Sequence, residues 1–253
     1  PLFGDVTTVQ SVTVATQAAT AISERQINIL VQRKLPLRIS GSTFSGTLTG
    51  TNDAAEIISF ICKDPTLGNR SNAEMDFDNI YNTLDEIEAY FGISQVREFN
   101  YTFDNESTSF EEMLQAVAEA IFCTPYRQGS VIKLFFERAT QDSALLFNHR
   151  NKVPNTESRT TYFGGDYDGI EYKYINPTDD SSASILVPAN GSGQKPQIVE
   201  SVGIRTQQQA FIHARRLYHK QKHRRVAVEF DATEEAEILI NNQRILVADN
   251  TRP

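Results

Sequence analysis

Hydrophobic and polar positions change their period twice along the chain. From Asp5 to Ser40 the period is two: Val12 and Val14 flank Thr13, while Ile27, Ile29 and Val31 alternate with Asn28 and Gln32. This pattern predicts strands. The Ala/Thr-rich piece Gln17–Ile22 between them reads as a hairpin loop or a short helix, and Pro36 ends or edges the second strand. Thr43–Thr51, rich in Thr, Gly and Ser, reads as a connection.

At Asn52 the period becomes helical. Ala54, Ile57, Ile58 and Ile61 share a face, with Asn52 or Asp53 as N-cap, and Lys63-Asp64-Pro65 closes the helix because the residue before proline disfavours the α region. A second helix is predicted from Asp76 to Phe91 through Phe77, Ile80, Leu84, Ile87 and Phe91, stopped by Gly92. Arg97–Phe103 alternates as a strand. Ser107 or Ser109 then caps a third helix, with Phe110, Met113, Leu114, Val117, Ala118 and Ile121 on its apolar face and Pro125 as its stop. Gln128-Gly129 is a turn before the strand Val131–Glu137.

From residue 155 the period returns to two. Tyr162–Gly165 and Gly169–Ile175 read as strands around the turn Asp166–Asp168, followed by the loop Asn176–Ser182, the strand Ser184–Val187 and the loop Ala189–Pro196. Thr206 caps a last helix, Gln207 to about Lys222, with Ala210, Phe211, Ala214 and Leu217/Tyr218 buried. Arg225–Phe230 and Glu237–Ala248 close the chain as strands. The expected class is α+β: a mostly β body at residues 1–51 and 151–253, with an α+β module at 52–150 inserted into it.

Composition narrows the function. A chain of 253 residues with 40% hydrophobic residues and a mean hydropathy of −0.37 can bury a core. It has no apolar run of the roughly 20 residues that a membrane helix needs, and Pro1–Gly4 does not open a secretory signal. The missing initiator Met and the end at Arg252–Pro253 read as a fragment of a longer protein. Net charge of −8 argues against a general nucleic-acid binder, because neutralising phosphate needs a basic face. Cys62 and Cys123 lie in apolar segments and read as buried free thiols, although their spacing leaves a disulfide open.

Candidate chemistry is sparse. Gly164-Gly165 and Gly191-x-Gly193 lack phosphate-loop spacing and read as turns, and His149 is an isolated loop residue. His219 and His223 stand four apart on a helix, with His213 earlier, as two ligands of a metal would. No Glu lies between them, however, and Arg215, Arg216, Lys220, Lys222, Arg224 and Arg225 surround them. This basic helix reads as a solvated face, as a docking face for an acidic neighbour or, least of the three, as a contact with passing DNA. The acids Glu74, Asp76, Asp78, Asp85, Glu86 and Glu88 lack the alternating loop with a central Gly that calcium requires. Tyr162, Tyr167, Tyr172 and Tyr174 resemble a carbohydrate platform. With Asp166, Asp168 and Glu171 they define the alternative, a carbohydrate-binding or hydrolytic module. No nucleophile, base and orienter assemble, so the chain is expected not to be an enzyme, with no catalytic, cofactor or metal residues.

Eight landmarks, in order, carry a resemblance. They are NILVQRKLP (Asn28–Pro36), IISFICKDPTLG (Ile57–Gly68), the helix Asp76–Phe91, the stretch Phe99–Tyr126, and GSVIKLFFE (Gly129–Glu137). IEYKYINP (Ile170–Pro177), SVGIRTQQQAFIHARRL (Ser201–Leu217) and RILVAD (Arg244–Asp249) complete the series. Their order and spacing resemble the host-specificity, or tip-attachment, proteins of lambda-like long-tailed phages and related prophage tail proteins. Asn241-Asn242-Gln243 stands where the family often has Pro-Gly-Asp, and Asp168-Gly169 where Asn-Ala is common; both keep turn chemistry. The resemblance implies a hub-type, tail-tube-like barrel with an inserted domain, homotrimeric around the tail axis. It further implies a place in the virion at the tail tip after synthesis in the host cytoplasm. The implied partners are the distal tail protein, the tape-measure protein and the tail fibres, with DNA passing through the channel. It carries over no catalytic residue.

Overall fold

The computed structural model describes residues 32–103, 108–139, 142–162, 167–189, 194–240 and 242–248. The strands expected around Val12–Val14 and Ile27–Val31, the piece Gln17–Ile22, and the turns at Gly164-Gly165 and Gly191-x-Gly193 lie outside these residues. The chain from Arg33 onward forms one compact unit.

That unit opens with a hairpin, β1 (Lys34–Ser40) and β2 (Thr43–Gly50), paired antiparallel around Gly41 with Pro36 opposite Leu48. Thr43–Thr51 is therefore a strand for most of its length and not a connection. Threonine is β-prone, but as a polar residue it hides the alternation.

Helix α1 (Ala54–Lys63) starts where Asp53 accepts a hydrogen bond from Ala55 N, and it ends at Asp64 before Pro65. Gly68 then lets the chain turn back across the helix end: a Cβ there would stand 2.6 Å from the Cys62 carbonyl oxygen. Helix α2 (Phe77–Phe91) is capped by Asp76 and closed by left-handed Gly92. Helix α3 (Phe110–Ala120) starts in a capping box of Ser109 with Glu112. It stops at Ala120, five residues before Pro125. Pro125 lies instead inside β3 (Cys123–Gln128), which turns at Gly129 into β4 (Val131–Phe136).

Arg97–Phe103 is not a strand. A 3-10 turn covers Ser94–Arg97, and the aromatic residues after it cluster on one another, Phe99 stacked on Phe103 at 5.9 Å and Tyr101 against Phe103 at 5.1 Å. Their alternation reflects mutual packing.

Next come β5 (Leu145–Phe147), β6 (Ser158–Thr161), β7 (Gly169–Ile175), β8 (Ser182–Val187) and β9 (Pro196–Glu200). Helix α4 (Gln207–His223), β10 (Val226–Glu229) and β11 (Ile245–Val247) end the series. The stretch expected as one strand over Glu237–Ala248 divides into a 3-10 turn, Glu234–Ile238, and β11. β7 is the middle of a three-stranded sheet, antiparallel to β8 and parallel to β9; β6 pairs with β10, and β5 with β11. The class is α+β, as the periods imply. Among the described residues four sheets have two strands and one has three, and none closes into a barrel.

The core runs without interruption from Ala54, Ile58, Ile80, Leu84 and Val117 through Ile132 and Leu134 to Ile170, Tyr172, Ala210 and Ala214. Residues on both sides of position 150 thus bury one another. Gly203 sits at a close approach within it, at φ +76°, where an added Cβ would stand 2.2 Å from the Phe99 ring. Gly203→Ala should cost roughly 2–4 kcal/mol, from the left-handed backbone and from overpacking. Gly46→Ala, in open space, should stay within about 0.5 kcal/mol. Urea unfolding checks both, and equal midpoints would remove Gly203 from this role.

Candidate functional site

Helix α4 gathers most of the unusual chemistry. Its sequence lacks a carboxylate, and the Thr206 hydroxyl makes no capping bond to the helix N–H groups. Side chains that dock on the rest of the fold hold it in place. Gln209 is fully buried, and its amide nitrogen donates to Glu98 O at 3.1 Å and to Ala120 O at 2.9 Å. One turn on, His213 Nε2 lies 2.9 Å from the same Ala120 oxygen. Its ring is sandwiched between Phe122, with centroids 3.9 Å apart, and Tyr172 at 5.5 Å. Burial holds His213 well below the usual imidazole range, at about 4; its bond to Ala120 O works in the opposite direction, and Arg216 and Lys220 add to the depression.

The basic residues divide into two sets. Arg216 reaches over Phe91, Phe122 and Phe136 and donates to the Glu137 carbonyl at 2.6 Å. Lys220 meets the Glu137 carboxylate at 2.7 Å, and Arg224 pairs with it as well. The inner side of the basic helix thus docks on an acid of its own chain at the end of β4. Arg215, Lys222 and Arg225 are exposed without a part in this contact, and Arg224 is exposed while making it.

The buried stripe differs from the expected one. Ala210 and Ala214 are buried, but Phe211 is 45% exposed and Gln209 takes the inward place. A polar residue with two long-range carbonyl partners leaves no mark in a hydrophobic period.

The remaining candidates separate. His219 and His223 stack at 5.7 Å, both exposed, and no group of three or more His, Cys, Asp or Glu side chains converges among the described residues. Tyr172 and Tyr174 are buried, whereas Tyr162 and Tyr167 are exposed, so the four tyrosines do not share one platform. Asp166 lies outside the described residues. The Asp168 carboxylate accepts from Gln194 N at 2.7 Å and Lys195 N at 2.8 Å, pinning the start of β7 to the segment before β9. The Lys195 and Gln194 amides hold its carboxyl below the usual range. Glu171 is half-buried on the strand between Ile170 and Tyr172. His149 sits exposed in a turn, and Cys62 and Cys123 are free, buried thiols. Burial raises both, Cys62 to about 12.

The acids from Glu74 to Glu88 have individual partners. Glu74 caps a 3-10 turn through Ser71, Asp76 caps α2, Asp78 pairs with Arg38, and Glu86 pairs with Arg138 at 2.5 Å. Asp85 and Glu88 join Asp53 around Arg97 at 3.0, 3.0 and 2.6 Å. Beside this cluster Glu56 accepts from Tyr81 Oη at 2.7 Å and from Arg38 N at 3.1 Å, tying the first hairpin to α1 and α2. A depression of about 400 Å³ opens over Arg38, Asp53, Glu56, Tyr81, Asp85 and Arg97. Another of about 490 Å³ lies between the turns of the two hairpins, lined by Gly41, Asp76, Gln128 and Lys133. The Arg97 and Glu56 networks escaped sequence reasoning because their members come from separate elements.

No protein-family model and no curated protein matches the chain. Among solved structures it is similar to the tail protein from Neisseria meningitidis MC58, with a TM-score of 0.44 and 7% sequence identity, over 66% of this chain and 56% of that one. The chain therefore spans little more than half the length of that protein.

The buried imidazole sets a pH dependence. His213 is neutral when folded and takes up a proton near pH 6.5 when unfolded, so its contribution is complete above pH 6.5. It is lost progressively as pH falls to about 4, by roughly 3 kcal/mol in total. His213→Gln should be less stable at neutral pH, and its stability should fall less steeply between pH 6.5 and 4. Parallel slopes for the two proteins would show that His213 does not titrate with folding. A separate expectation concerns metal: the cations flanking His219 and His223 predict that chelator leaves the melting temperature unchanged. A drop of several degrees would reverse that reading.

Proposed function

We propose that this chain is a structural component of a bacteriophage tail tip, the central hub that closes the tail tube and anchors tape-measure and receptor-binding components. In this reading it acts as a homotrimer around the tail axis, beside the distal tail protein, and performs no catalysis. One observation carries the proposal. Six of the eight segments through which the chain resembles tip-attachment proteins supply residues of its continuous core. Ile57–Gly68 forms α1 and the tight turn over its end, and Phe99–Tyr126 supplies α3 and the Ala120 carbonyl. Gly129–Glu137 forms β4 and ends on the acid that holds α4, while Ser201–Leu217 supplies Gly203, Gln209 and His213. A resemblance confined to loops would not place its residues this way.

The hub barrel belongs to the same proposal. In this reading the pairs β6–β10 and β5–β11 would be extended by strands of neighbouring copies, since an isolated pair of strands is marginal in water. The carbohydrate-binding or hydrolytic alternative draws no support from the tyrosines, which face two environments, or from Asp168, whose oxygens are occupied by backbone amides.

DNA must slide through a tail tube without sticking, and each lysine or arginine on a phosphate-facing wall adds salt-dependent affinity. Acids should therefore outnumber bases on the channel wall, repelling phosphate over a Debye length of about 8 Å. Arg216, Lys220 and Arg224, already turned to Glu137, should lie away from it. A reconstruction of the assembled tail tip tests this. Three copies around the axis with α4 off the channel wall are expected. Arg215, Arg216 and Lys220 lining the channel, or copies off the axis, would refute the reading.

A further inference from the structure

Helix α4 has a second face. Phe211, Arg215, His219, Lys222 and His223 are all exposed, and at these helical spacings they form one stripe. No carboxylate occurs between Gln207 and Arg225. Because Arg216, Lys220 and the still exposed Arg224 are engaged with Glu137, the charge of the stripe comes from Arg215 and Lys222, with Phe211 as its apolar end. Neither cation has a carboxylate partner in its own chain among the described residues.

A patch of opposite sign lies beyond the far end of β10. In the 3-10 turn Glu234–Ile238 the side chains of Glu234, Glu235 and Glu237 are exposed, and Ile238 is 70% exposed. Glu235 accepts a hydrogen bond from Asn151 Nδ2 at 3.0 Å, which leaves Glu234 and Glu237 as the outward charges beside Ile238. Each patch combines two like charges with one exposed large apolar side chain. Their signs are opposite, and their apolar groups can be buried together.

We infer that the α4 stripe docks on the Glu234–Ile238 turn of a second copy of this chain. Burying Phe211 against Ile238 removes apolar surface from water on both sides, and the paired charges select the register. Nucleic acid fits the stripe less well. Two arginine or lysine side chains neutralise few phosphates, and the chain as a whole carries −8. The contact is heterologous, each copy giving a different surface, so a dimer retains one free patch of each kind and growth continues until a ring closes or a filament forms. This contact is a property of the chain and stands apart from the tail proposal, which is tested on the particle.

Sedimentation velocity of the full chain tests it. The mass should rise with protein concentration and fall back at about 0.5 M salt, where surface charges are screened. Reversing one patch, R215E with K222E, or the other, E234K with E237K, should weaken association at least about tenfold. All four positions point to solvent, so each variant should melt within about 2 °C of the parent. Mixing the two variants re-creates opposite signs at each contact and should restore association. The neutral pairs R215Q with K222Q and E234Q with E237Q should weaken it by less. A chain that stays monomeric at every concentration, association unchanged by either reversal, or a mixture that fails to recover would each overturn the inference.

Discussion

A helix leaves its last carbonyls without partners inside itself, and in this fold one of them becomes a joint. The Ala120 oxygen at the end of α3 accepts from Gln209 and lies within hydrogen-bond reach of His213 Nε2, two side chains one turn apart on α4. The bonds cross 89 and 93 residues of sequence, so they fix the long-range arrangement on which the core depends. Around that oxygen Phe122 and Tyr172 clamp the imidazole, and Arg216 covers the aromatic group that follows. Removing α4 would leave an orphaned buried carbonyl and would also open the packing of β7, because Ala210 and Ala214 are fully buried against it.

Much of the helical half was legible in the sequence because its signals are local. Asp53, Asp76 and Ser109 cap helices whose apolar residues keep the 3.6 period, and Pro65 and Gly92 end two of them. The strands were harder. β2 is written in threonine, serine and glycine, β3 carries a proline, and β9 begins on the proline that closes the expected loop Ala189–Pro196. Each depends on a partner strand to show that it is one. The Phe99–Phe103 alternation erred in the other direction, since here the alternating aromatic rings pack on one another without a partner strand. At α4 the sequence showed a helix and its charge. The inward turn of Gln209 and His213 was hidden, because only the position of Ala120 makes a polar residue suitable there.

Charge is organised in the same long-range way. A stretch with six acids and a helix with its run of bases suggest two exposed faces of opposite sign, yet each is partly consumed inside the fold. Arg97 collects Asp53, Asp85 and Glu88, and Glu137 collects Lys220 and Arg224. These pairs are partly exposed, so each contributes little stability by itself. Their larger effect is on shape, because they set which side of a helix faces its own chain and which side remains available.

Pro125 has a consequence for how the molecule can grow. β3 pairs with β4 on one side and forms the outer edge of its sheet. Proline has no N–H to offer, so a strand arriving at that edge would lose a ladder bond at Pro125 and would meet the charge of Arg127 two residues later. The sheet at the heart of the helical half is therefore terminated by its own chemistry, and stray strand addition during folding in a crowded cell is discouraged at that border.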